Sequence, residues 1–161
     1  MKKLYFLTIC LLLTSCGNFE FAYDNPINVD VLNGKTYLEV SGDNSETVFS
    51  YLVKRIENNQ TDYIYKLSVK SSKIVEARVI ETDATASKFS IRFNIEYSLT
   101  KDTCDLIGKK ITSDSFFYSK SAGYSFGTDV SEGDATNKNI YSNVDDFLYH
   151  VVTSGVNLDK C

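Results

Sequence analysis

The chain has 161 residues, of which 43% are apolar and 24% charged, enough to bury the core of one domain and too apolar for a disordered chain. Its formal charge of −4, from 21 acidic and 17 basic residues, lacks the concentrated positive charge that phosphate backbones require, which sets nucleic acid aside as a partner. A single histidine argues against a metal site or imidazole acid–base chemistry, no cofactor is expected, and 11 Tyr and 10 Phe beside one Pro favour strands.

The first residues read as a leader. Met1-Lys2-Lys3 is a short positive start and Leu4 to Leu13 an apolar run, too short for a bilayer, which needs about 20 apolar residues. Leu13-Thr14-Ser15-Cys16-Gly17 resembles the bacterial lipobox, in which small residues precede a cysteine that receives a diacylglycerol and becomes the new N-terminus. Residues 1–15 are therefore expected to be a lipoprotein signal peptide and Cys16 the lipid attachment site. Further acylation, with palmitate among the chains, makes such anchoring firm. Loss of Lys2 and Lys3 leaves 15 basic residues against 21 acidic ones. Gly17 and Asn18 after the cysteine, with no Asp beside it, favour the Gram-negative outer membrane by family-level sorting rules.

Residues 16–33, with the single proline at Pro26, have no period and read as a lipidated tether. A domain over 34–158 follows, with a short tail at 159–161. Tyr37, Leu38 and Val40 lie in a first short strand. Ser45 is a candidate N-cap, and Val48, Leu52 and Ile56 recur at helical spacing beside Phe49 and Val53. From Asp62 the period changes to two through Tyr63, Tyr65, Leu67 and Val69, with a break expected at Ser71-Ser72 before Val75, Ala77 and Val79. Phe89, Ile91, Phe93, Ile95, Tyr97 and Leu99 alternate with polar residues, the pattern of a strand with one buried face. A turn near Lys101 to Cys104 or at Gly108-Lys109 leads to a fourth strand over 111–119. The polar stretch 121–139 reads as a long loop, and Ile140, Val144, Phe147, Leu148 and Val151 as a closing helix stopped by Gly155. The expected fold is α+β: a four-stranded, mostly antiparallel sheet with two helices packed on one face.

This order, the lipid cysteine followed by Gly17, and Asp83-Ala84-Thr85-Ala86 leading into Phe93-Asn94-Ile95-Glu96-Tyr97-Ser98-Leu99 resemble the LptE family of lipopolysaccharide-assembly lipoproteins. The resemblance implies an outer-membrane accessory protein, facing the periplasm, that supports lipopolysaccharide transport by binding and plugging the LptD β-barrel, and that is not an enzyme. Asn18 before Phe19 departs from the aromatic that family members commonly place directly after Cys-Gly. If lipopolysaccharide is touched, Lys66, Lys70, Arg78, Lys88 and Arg92 are the contacts to expect, because ammonium and guanidinium groups pair with phosphate; solvated strand faces are the alternative. The alternative function is a lipoprotein binding another envelope component, peptidoglycan or an efflux assembly. No His-Glu-x-x-His motif supports a hydrolase.

Cys104 and Cys161 are the thiols that remain once Cys10 is cleaved away and Cys16 acylated. Export permits a bridge between them, worth about 3 to 4 kcal/mol, with free thiols as the alternative. His150 reads as structural. Asp129, Glu132 and Asp134 do not fit a calcium loop, and Asp134 or Thr136 suits the cap of the last helix. Phe116-Phe117-Tyr118, with Tyr124 and Phe126, read chiefly as core and loop anchors.

Overall fold

A computed structural model describes residues 29–80, 86–119 and 125–154. The elements are β1 (Thr36–Gly42), α1 (Ser45–Arg55), β2 (Tyr65–Ile80), β3 (Ala86–Lys101), β4 (Cys104–Tyr118) and α2 (Ser125–Thr153). The strands form one open sheet in the order β1-β2-β3-β4. β1 pairs with β2 in parallel, which requires the crossover that α1 supplies, and the other two pairings are antiparallel. Both helices lie on one face, as the α+β reading expected.

The alternation in β3 governs the core. Ile91, Phe93, Ile95, Tyr97 and Leu99 are all buried, and they meet Tyr65, Leu67 and Val69 of β2 and Leu38 of β1. Val48 and Leu52 of α1 and Ile140, Val144, Phe147 and Leu148 of α2 close the layer. Val29 and Leu32 also belong to this core, so the folded body takes in residues ahead of Gly34, where the sequence reading began it.

Several local expectations are corrected. Ser45 is not the cap of α1: Asn44 holds that position in a left-handed conformation, without a side-chain cap. Of the broad apolar stripe, Val48, Leu52 and Ile56 are buried, whereas Phe49 and Val53 are exposed. Nor does β2 break at Ser71-Ser72. Ser71 is buried, its hydroxyl donates to the carbonyls of Ser41 and Asp43, and the strand runs on to Ile80. Between the two candidate turns the chain uses the first, with Asp102 left-handed, so β4 begins at Cys104 and Gly108 lies inside it.

A further correction concerns α2, which starts at Ser125 and absorbs most of the expected loop; Asp134 and Thr136 are interior helix residues, not caps. Its sheet-facing stripe is partly polar. Asn139 Nδ2 donates to the Ile91 carbonyl at 3.0 Å and to Ser115 Oγ at 3.2 Å, and Asn143 Nδ2 donates to the Ile111 carbonyl at 3.1 Å and to Ser113 Oγ at 2.8 Å. Ser115 Oγ in turn donates to the Ala135 carbonyl at 3.0 Å. These bonds satisfy the buried amide donors of Asn139 and Asn143, which would otherwise oppose packing, whereas Asn139 Oδ1 and Thr136 Oγ1 have no partner among the described residues.

The two helices are joined by aromatic and ionic contacts. The rings of Tyr51 and Tyr141 stack at 4.1 Å, Tyr51 donates to Asp145 at 2.8 Å, and Arg55 Nη2 donates to the Tyr51 hydroxyl at 2.7 Å. Burial raises the Tyr51 phenol above its ordinary value, and the Tyr51 hydrogen bond raises Arg55.

Candidate functional site

With both helices on one face, the other face of the sheet carries the outward residues of the alternating strands. Register brings Glu39, Ser68, Ser98 and Gly108 into one row across the sheet, and Ser41, Lys70, Glu96 and Lys110 into the next. Over these rows lies an open trough of about 530 Å³. Its floor is low because Ser68, Ser98 and Gly108 are small, and the longer Lys70, Glu96 and Lys110 form one side. Hydroxyl donors, ammonium donors and carboxylate acceptors stand together there, a mixture suited to polar, charged headgroups.

All five cations expected from the sequence lie on this face, spread along it, not gathered in one pocket. Lys66 Nζ lies 3.0 Å from Glu39. The hydrogen bond from Lys66, with that of Ser68, holds the Glu39 carboxyl below its ordinary value, and Glu39 raises Lys66 in turn. Arg92 pairs with Asp114 at 2.9 Å. Arg78 pairs with Glu76 at 2.9 Å and its Nε donates to Ser90 Oγ at 2.7 Å. Lys70 stands opposite Glu96 in the register, but Glu96 is bound by Lys110 at 3.1 Å. Lys88 lies over the Phe116 ring, 4.5 Å from its centre, and 5.7 Å from that of Tyr118. Among the described residues Lys70 and Lys88 form no ion pair, so an incoming phosphate would not have to displace a carboxylate from either. The remaining pairs are solvent-exposed and individually weak.

The aromatic run divides by parity. Phe117 is buried and stacks on Phe89 at 5.0 Å, whereas Phe116 and Tyr118 are exposed on the helix-free face, which corrects their assignment to the core. Tyr124 lies outside the described residues, as does the side chain of Phe126. Lys110, Glu96 and Asp114 were not singled out by the sequence reading. The two-residue turn after Lys101 sets Cys104 opposite Lys101, and the one-residue register shift between Leu99 and Thr100 then carries Lys110 to Glu96.

Cys16 and Cys161 lie outside the described residues. Cys104 is disulfide-bonded, and its partner also lies outside them. His150 is in the last turn of α2. Glu132 of the acidic trio pairs with Lys73 at 2.7 Å, and among the described residues no His, Cys, Asp and Glu cluster could hold a metal ion. No described helix is long and apolar enough to cross a membrane.

No family model matches the chain, and no curated protein does. Solved structures share the fold. Rare lipoprotein B from Shewanella oneidensis superposes with a TM-score of 0.56 at 11% identity, over 78% of this chain and 98% of that one. A protein of Caulobacter crescentus assigned as a lipoprotein gives 0.54 at 15% identity, over 74% and 88%. A minor lipoprotein from Acinetobacter baumannii gives 0.53 at 12% identity, over 75% and 92%. The chain thus has the fold of several bacterial lipoproteins, with nearly the whole of each of those chains matched.

Proposed function

We propose that this protein is a lipid-anchored accessory lipoprotein of the bacterial outer membrane, facing the periplasm, that supports lipopolysaccharide transport by binding and plugging an LptD-like β-barrel. The observation that carries the reading is the coincidence of the lipobox at Leu13 to Cys16 with a fold found in rare lipoprotein B and other bacterial lipoproteins. The first is read from sequence and the second from backbone shape. The mechanism is stoichiometric binding without turnover. Acyl chains on Cys16 hold the N-terminus in the membrane, and the helix-backed sheet acts as a rigid body. Lipopolysaccharide contact falls to the helix-free face, where Lys66, Lys70, Arg78, Lys88 and Arg92 offer cations to lipid phosphates and the trough offers hydroxyls to sugars.

Two measurements test this. Palmitate labelling should mark the native chain and be lost in Cys16→Ser; a freely secreted, unlabelled product contradicts the anchor. Affinity purification of the chain from detergent-solubilised envelopes should recover a large β-barrel protein in stoichiometric amount. Recovery of peptidoglycan fragments or an efflux channel instead would transfer the proposal to the alternative envelope partner.

A further inference from the structure

Val29 is the first described residue and already belongs to the core. The contacts around it fix the end of the sheet at which it stands. Its carbonyl accepts from Leu32 and Asn33, Gly34 N–H donates to the Glu57 carbonyl, and the Lys35 carbonyl accepts from the N–H groups of Ile64 at 2.8 Å and Tyr65 at 3.0 Å. Val29 thus lies at the start of β2, the end where Tyr65 pairs with Lys101.

Apolar side chains are left uncovered in the two loops joined there. Val31 is 52% exposed, Tyr63 47% and Ile64 46%, and the Tyr63 ring leans on that of Tyr37 with centres 5.2 Å apart. Exposed apolar residues gathered on adjoining loops mark a contact surface, whereas single scattered ones are ordinary. Lys35, Asp30 and Asp62 are exposed in the same loops. With two carboxylates to one ammonium, these neighbours give the patch no net positive charge, so what it offers a partner is apolar and aromatic contact.

The length of the chain indicates what covers it. Cys16 and Val29 are thirteen residues apart, at most about 47 Å when fully extended and about 20 Å as a relaxed coil. Acyl chains on Cys16 hold this end of the body near the bilayer, and a contact made on so short a tether forms at high effective concentration. Tyrosine and aliphatic side chains are at home at the membrane–water interface. A second exposed apolar group, Ile80, Phe116 and Tyr118, stands at the far end, about 50 Å along β2. It meets the same bilayer only if the body lies down on its charged helix-free face, which would press Glu96, Asp114 and their partners onto lipid and strip them of water.

We infer that the patch of Val31, Tyr63 and Ile64 docks on the lipid bilayer that holds the Cys16 acyl chains, so that the free lipoprotein stands end-on with its strands rising from the membrane. The inference rests on the lipid anchor of the proposed function and goes beyond it, because an anchor alone does not say which end of the body touches lipid. The docked end leaves Phe116 and Tyr118 at the far end, clear of the bilayer.

The chain has no Trp, so a single introduced indole reports its own surroundings. The test places full-length lipidated chains carrying Tyr63→Trp, Val31→Trp or Tyr118→Trp in phosphatidylcholine vesicles, with and without lipid brominated along its acyl chains. Brominated lipid should quench Tyr63→Trp and Val31→Trp about fivefold more strongly than Tyr118→Trp, and Ile64→Asp added to Tyr63→Trp should remove most of that difference. Added phosphatidylglycerol should change the quenching less than about twofold, because the patch has no cationic excess. Equal quenching at the two ends, or quenching that survives Ile64→Asp, overturns the docking. A larger gain with phosphatidylglycerol overturns its apolar basis. Flotation separates failure of the anchor: a chain that does not float with the vesicles loses both readings, whereas one that floats with Tyr63→Trp unquenched keeps the anchor and loses the docking. Should Tyr63→Trp fail to fold, Val31→Trp, at an exposed loop position, decides in its place.

Discussion

The Tyr97 ring stacks on Phe147 with centres 4.1 Å apart and planes at 4°, while its hydroxyl donates to Asn143 Oδ1 at 2.9 Å. One residue of β3 therefore fixes both the apolar and the polar register of α2. Tyr97→Phe keeps the stack but leaves a buried Asn143 oxygen without its donor, and should cost about 1 to 2 kcal/mol in urea unfolding. Burial, then the charges of Asp146 and Asp145, push the Tyr97 phenol up. A raised phenol stabilises the fold below its unfolded value near about pH 10 and loses that contribution as pH rises further, so alkaline destabilisation should be shallower in Tyr97→Phe. An unchanged midpoint and alkaline slope would contradict both roles.

Gly42 adopts φ 96°, and a Cβ there would collide with the Ser71 carbonyl. The close approach lets the chain leave β1 while Asp43 caps Lys73 on β2. Gly42→Ala should destabilise by about 2 kcal/mol or more, as read from denaturant midpoints. An effect no larger than that of a surface substitution would show that this crossing relaxes freely.

Glu39, held below its ordinary value by Lys66 and Ser68, contributes stability that is present above its unfolded value near about pH 4.3 and lost as pH falls through the lowered folded value. Unfolding midpoints measured from pH 6 downward should therefore fall less steeply in Glu39→Gln than in the wild type. The effect is small because the pair is exposed, and it should shrink further in high salt. Identical slopes would assign the acid sensitivity to other carboxylates.

The disulfide at Cys104 sits at the start of β4, next to the β3–β4 turn. Non-reducing peptide mapping should find it joined to Cys161, the pairing expected from export and from acylation of Cys16. Cys104→Ser should lower stability by about 2 to 4 kcal/mol under oxidising conditions and have little effect under reducing ones. A bridge mapped to another cysteine would remove the tie to the C-terminus.

The strand half of the fold was legible because β3 buries one face and wets the other, so period two is written in Phe89 to Leu99 without interruption. The first half of α2 was not. Its buried polar positions are Thr136, Asn139 and Asn143, and these residues, of which the two asparagines bond strand carbonyls and serines, look like loop composition when only hydrophobicity is read. Ser71 misled for the same reason: a hydroxyl that bonds the neighbouring strand looks like a break. For the candidate site, the shared face of Lys66, Lys70, Arg78, Lys88 and Arg92 follows from parity alone. The partner of Arg92 depends on the β3–β4 register, which the turn after Lys101 and the shift between Leu99 and Thr100 set together.

The proposed role is that of a non-catalytic body held at the outer membrane and seated against a barrel. Photocrosslinking in living cells addresses this most directly, with Tyr118→p-benzoylphenylalanine placing the reactive group on the exposed helix-free face. Mass spectrometry of the product should identify an LptD-like β-barrel joined to this chain, and the adduct should diminish when Cys16→Ser releases the chain from the membrane. Adducts only with peptidoglycan-bound proteins or efflux components, or a barrel adduct indifferent to Cys16, would contradict it.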